Sequence, residues 1–156
     1  HCDKVGVFVN ESLIRILELG MQLGLTHIQL HGEETPDKVE LLSSHFHVIK
    51  AFAVDETFSF DLDHYHFADT FLFDAKGKSR GGNGIHFNWD LLNNYRIDQP
   101  FMLSGGIRLE DVNDILSLNH DQLIGIDVNS GFEIEAGLKN VEQLRQLKAR
   151  LDEVHC

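Results

Sequence analysis

Apolar residues recur along the chain in two alternating modes. Residues 4–9, 47–54, 70–74, 101–104 and 123–128 are mostly apolar runs of strand length, the pattern of strands covered on both faces, and residues 26–31 are a further strand in which Ile28 and Leu30 alternate with Gln29 and His31. Helical spacing intervenes between them. Leu13, Ile14, Leu17 and Leu23, with Ile16 and Met21 beside them, lead to Gly24 as a stop, and Asn10 is the expected N-cap. Thr35-Pro36 starts a second helix carried by Val39, Leu41 and Leu42. Residues 111–118 and 141–154 are further helices, the last with Leu144, Leu147, Leu151 and Val154 on one stripe. Residues 55–66 read as a short helix or irregular crossover, and 89–95 as a short helix. The pattern is βα repeated six times, which predicts an α/β protein with a parallel sheet and helices outside it. No linker, repeat or low-complexity run interrupts it, so residues 1–156 are expected to form a single domain.

Charge narrows the partners. The formal net charge is −12 over 156 residues, which argues against nucleic acid and against an anionic membrane surface. An anionic metabolite stays open, because a few N–H groups hold a phosphate locally. The two cysteines, Cys2 and Cys156, lie at the extreme ends, too few for a disulfide framework. No transmembrane run or signal leader is visible, and a reducing cytoplasm is the expected compartment. The start lacks Met, which predicts a processed or truncated piece.

The candidate chemistry gathers at strand ends. Asp74 closes the fourth apolar run and precedes a stretch with four glycines between Gly77 and Gly84. A shielded strand-end carboxylate suits general acid work; the alternative is an N-cap or an ion pair with Lys76 or Arg80. Ser104-Gly105-Gly106 and Asn129-Ser130-Gly131 follow the next two strands. They read either as a phosphate cradle of backbone N–H groups or as tight turns that need glycine for geometry alone. Gln29 and His31 alternate on one strand and share a face; the plainer reading of His31 is a capped surface residue. His64 and His66 lack further ligands at metal spacing, so no metal is expected.

Together these motifs resemble phosphoribosylanthranilate isomerase, an enzyme family of tryptophan biosynthesis. The matching stretches are residues 5–10, 28–33, 48–52, 71–74, 81–84 with Phe87 and Trp89, 103–107 and 126–133. The family fold is a (β/α)8 TIM barrel. The resemblance implies that residue 5 begins the third strand, with two βα units absent and strands three to eight present. It implies an Amadori rearrangement of N-(5′-phosphoribosyl)anthranilate to 1-(2-carboxyphenylamino)-1-deoxyribulose 5-phosphate, with no cofactor. It makes Asp74 the catalytic acid. Gln29, His31 and Asp127 become substrate-binding residues, and Gly105, Gly106, Asn129, Ser130 and Gly131 the phosphate cradle. The family's base is a cysteine in a Lys-(Ile/Val)-Cys-Gly strand end. No such motif occurs here, and Cys2 is followed by Asp3-Lys4. The chain alone is therefore expected to be inactive, and to self-associate through open edges. Asn129 stands where serine is usual, and Ile85, His86 and Asn88 replace a common Lys, Thr and Asp.

Two alternatives belong to other classes of function. One is a phosphate-ligand binding module that kept the cradle without the chemistry. The other is a different phosphosugar isomerase barrel, such as the sister enzyme of histidine synthesis, whose sites pair two aspartates at opposite strand ends.

Overall fold

A computed structural model describes residues 2–59, 61–75, 88–118 and 120–152. Six strands lie in one parallel sheet whose spatial order is the chain order: β1 (Val5–Phe8), β2 (His27–Leu30), β3 (His47–Val54), β4 (Thr70–Ala75), β5 (Phe101–Ser104) and β6 (Leu123–Ile126). Among the described residues β1 and β6 each pair on one side only, so the sheet is open. The helices are α1 (Leu13–Leu23), α2 (Pro36–Ser43), α3 (Val112–Ser117) and α4 (Val141–Asp152). The predicted α/β architecture is the one observed. After β3 and β4, 3₁₀ turns at Leu62–Tyr65 and Trp89–Asn94 stand in place of full helices. A hairpin of β7 (Glu133–Glu135) and β8 (Leu138–Lys139), which the apolar pattern did not predict, precedes α4.

Strand alternation divides the sheet into two faces. Val48, Phe52 and Val54 of β3, Phe71 and Phe73 of β4, and Phe101 and Leu103 of β5 pack into the main core. Helices α1 and α2 cover this face through Ile16, Val39 and Leu42, all fully buried. Phe52 organises the aromatic part, with Phe71 and Tyr65 each edge-on at 5.2 Å. Such pairs add about 0.5–1.5 kcal/mol each beyond their burial. The opposite face carries a small cluster of Ile49, Ala51 and Leu72 with Met102 against it. Towards the carboxyl ends, the residues of that face turn polar.

Element ends differ from expectation in instructive ways. Ser12, not Asn10, caps α1: its Oγ accepts from Arg15 N at 3.3 Å. Asn10 adopts a left-handed conformation (φ 54°), and its carboxamide accepts from Glu33 N at 2.8 Å, tying two strand ends. Gly24 does stop α1, at φ 60°. The sixth strand ends at Ile126, two residues early, and Asp127 N makes one further ladder bond to Leu103 O before the chain turns. Residues 109–111 form a 3₁₀ turn ahead of α3. The glycine loop after Asp74, with residues 81–84 and Phe87, lies outside the described residues. Among the described residues, no helix is long and apolar enough to cross a membrane.

Candidate active site

At the carboxyl end of the sheet is a cleft of about 250 Å³. Its walls come from four strand ends. His31 follows β2, Asp74 is next to last in β4, Ser104 ends β5 with Gly105 to Ile107 after it, and Asp127 with Asn129 to Gly131 follow β6. Period-2 alternation explains the grouping. Gln29 and His31, Asp74, Ser104 and Asp127 all project from the face of Ala51, Leu72 and Met102. Register places Ser104 beside Asp74 across the β4–β5 ladder.

A hydrogen-bonded chain crosses this end of the sheet. Gln29 Nε2 donates to His31 Nδ1 at 2.9 Å, which leaves the His31 Nε2 proton to donate to Asp74 Oδ2 at 3.2 Å. The hydrogen bond to Asp74 raises His31 above its ordinary value of 6.5, against the opposing effect of burial. Both side chains keep about 30% exposure, 31% for His31 and 29% for Asp74, so they meet solvent on the cleft side. A second polar pair stands beside the first: Ser104 Oγ donates to Asp127 Oδ2 at 3.2 Å.

The glycines of the loops are there for different reasons. Gly105 has φ 91°, and a Cβ there would lie 2.4 Å from Ala75 N. Gly106, which also lines the cleft, has φ 67° but open space where a Cβ would go. A Cβ on Gly131 would meet Ile107 O at 2.2 Å, so the β5 and β6 loops touch there. The loops run into 3₁₀ turns at Leu109–Asp111 and Ser130–Phe132. A helix dipole therefore contributes little, and peptide N–H groups are the available anion donors.

Of the residues singled out in the sequence, all but Gln29 line the cleft, and Gln29 reaches it through His31. Asp74 bonds to His31; Lys76 and Arg80, weighed as its plainer partners, lie outside the described residues. Two contributors were not foreseen. The Ser104 hydroxyl bonds to Asp127. Lys139 on β8 donates to Asn129 Oδ1 and, at 2.5 Å, to Glu133 Oε1, bracing the β6 loop. The hairpin that carries it was the missing signal. Glu34 and Lys50 form a fully buried pair just behind His31.

Comparison with known proteins bears on this cleft. The family model described as N-(5'phosphoribosyl)anthranilate (PRA) isomerase matches residues 1–149. The chain is 41% identical over 145 residues to an N-(5'-phosphoribosyl)anthranilate isomerase of Parabacteroides distasonis, covering 91% of this chain and 66% of that protein. The chain thus spans just under two thirds of that relative's length. A crystal structure of phosphoribosyl anthranilate isomerase from Thermus thermophilus superposes with TM-score 0.82 and 31% identity, over 97% of this chain and 73% of that one. Another phosphoribosyl anthranilate isomerase, solved in complex with reduced 1-(o-carboxyphenylamino)-1-deoxyribulose 5-phosphate, has TM-score 0.75 and 28% identity, over 96% of this chain and 71% of that one.

Proposed function

The chain belongs to the N-(5'-phosphoribosyl)anthranilate isomerase family, and from that premise we propose that it carries the acid and the phosphate cradle of that reaction. The carrying observation is that Asp74 shares one cleft with the glycine loops after β5 and β6. A phosphate against the N–H groups of Gly106 and of Asn129 to Gly131 sets the ribose within reach of Asp74. The relative crystallised with a deoxyribulose phosphate supports a ligand of that class.

In this reading Asp74 protonates the ribose ring oxygen. The bond from C1 to that oxygen breaks and the nitrogen lone pair forms the imine. A base then removes the C2 proton, and the enolamine tautomerises to the ketone. His31 holds the Asp74 carboxyl group by its Nε2–H, with Gln29 holding the ring, and the proton that Asp74 gives up is restored from solvent, which reaches both side chains on the cleft side. Asp127, fixed by Ser104, faces the sugar. No residue of the chain is assigned as the base: the family's Lys-(Ile/Val)-Cys-Gly strand end does not occur in the sequence, and Cys2 is exposed beside Asp3-Lys4. The 156-residue chain alone is therefore expected to bind and not to turn over. No cofactor enters the reading.

The test is binding by the chain as it stands. Calorimetry with the reduced product analogue should give a complex that Asp74→Asn weakens little and that inorganic phosphate displaces competitively. Failure of the analogue to bind, or binding indifferent to phosphate, overturns the assignment.

A further inference from the structure

Behind His31, on the core face of the sheet, lie two ionised side chains that the proposed chemistry does not touch. Lys50 sits in the middle of β3 and is 2% exposed; Glu34 follows β2 and is also 2% exposed. Burial of two such charges is costly and is tolerated only with full hydrogen bonding. Here the bonding is dense. Lys50 Nζ shares its three protons among four acceptors, Glu34 Oε2 at 3.2 Å, Gly32 O at 2.7 Å, Ala51 O at 2.9 Å and Leu30 O at 3.3 Å. Glu34 spends its other capacity on backbone: Oε1 accepts from Asn10 N at 2.8 Å and Oε2 from Gly32 N at 3.0 Å.

These bonds point at one residue. Leu30 and Gly32 flank His31, and both of their carbonyls are held by the same ammonium. Gly32 N is held by the carboxylate. Asn10, in its left-handed conformation, is locked from two sides, by Glu34 on its N–H and by Glu33 N on its carboxamide. A Cβ on Gly32 would lie 2.5 Å from Asn10 Oδ1, so this corner leaves no slack. Tyr65 adds a tie from outside the sheet, its hydroxyl donating to Glu34 O at 3.1 Å.

We propose that the Lys50–Glu34 pair is a positioning device for His31: it binds the carboxyl ends of β1, β2 and β3 to one another so that the imidazole is presented to Asp74. The proposal rests on the reading of Asp74 as the acid. A pair of this kind buys no chemistry itself; it fixes the peptide on either side of a group that must hold its distance to another strand.

The test reads His31 directly, by NMR titration of its ring in the intact chain. The charged groups near that ring are Asp74, Asp127 and Lys50, of which Lys50 alone lowers its proton affinity. The two roles for Lys50 therefore predict opposite signs. If Lys50 is only a neighbouring charge, Lys50→Met raises the His31 titration point. If it positions His31, the variant loosens the Asp74 contact and the titration point falls towards 6.5. Lys50→Met leaves a buried carboxylate and can fail to fold. The double variant Lys50→Met with Glu34→Leu removes both charges, and buried pairs replaced in this way commonly keep their fold. In that variant the direct charge effect on the ring is still the loss of Lys50, which raises the titration point, so a fall again supports positioning. An unchanged or raised titration point in the folded double variant overturns the proposal. Failure of the product analogue to bind the unmodified chain overturns the isomerase reading instead, and leaves the titration to decide the positioning role.

Discussion

His31 and Asp74 meet at 3.2 Å although their strands, β2 and β4, are not neighbours. β3 runs between them, and it offers Ala51 and Ala53 on the shared face, with Ala53 level with Asp74. Small side chains on the middle strand let an imidazole reach across it. The contact thus depends on three strands keeping register.

Asp74→Asn should abolish the acid without disturbing the sheet, since the amide fills the same space. Assayed in a polypeptide that also carries the family's Cys-Gly strand, turnover should fall about 100- to 10,000-fold. Circular dichroism should be unchanged. Near-normal turnover would remove Asp74 from the mechanism.

The His31–Asp74 bond makes part of the stability depend on pH. A histidine raised above its ordinary value of 6.5 contributes stability that is complete below that value and is lost as pH rises through the folded-state value. Urea unfolding of the chain and of His31→Asn should therefore differ more at about pH 5.5 than at about pH 8.5. Equal differences at both would show that the bond carries no linked proton.

Two adjacent glycines should fail differently when given a methyl. Gly105→Ala combines positive φ with a backbone collision against Ala75, so the chain should lose about 1–3 kcal/mol or more. Gly106→Ala meets open space and should lose only about 1–2 kcal/mol. Gly106 lines the cleft where the phosphate is proposed to sit, so affinity for inorganic phosphate should drop while the fold persists. Phosphate-induced shifts of the Asn129 to Gly131 amides report that loss.

Edge strand β1 leaves Val5 and Val7, and Val9 just after it, about half exposed or more, at 45%, 58% and 63%. Apolar edges template association. Sedimentation of the chain should show species larger than a monomer, and Val7→Lys should shift them towards it. A strict monomer at high concentration would end this expectation.

Much of the site was readable because a strand shows its faces by alternation. Asp74, Gln29 with His31, and the two glycine turns each follow an apolar run, and parallel strands bring such ends together whatever their distance in sequence. What stayed hidden depended on pairing across strands. Lys50 looks like a polar interruption in the run Val48-Ile-Lys-Ala-Phe52, and only Glu34, arriving from another strand end, makes its burial tolerable. Asn10 resembles a cap until Ser12 is seen two residues on with its hydroxyl in place. The β7–β8 hairpin has strands of three and two residues, too short for any periodicity, and so Lys139 was passed over.

Because strand order equals chain order, no pairing in this sheet, among the described residues, has to wait for a distant segment. Val5 meets His27, His27 meets His47, and each later strand adds to the one just made. Local closure of this kind carries a small entropic cost at every step. Assembly can therefore proceed from one terminus while the other is still being synthesised, without rearranging what has formed. In the finished sheet, protection from solvent exchange should peak at β3 and β4, which share the longest ladder, and decline outward in both directions.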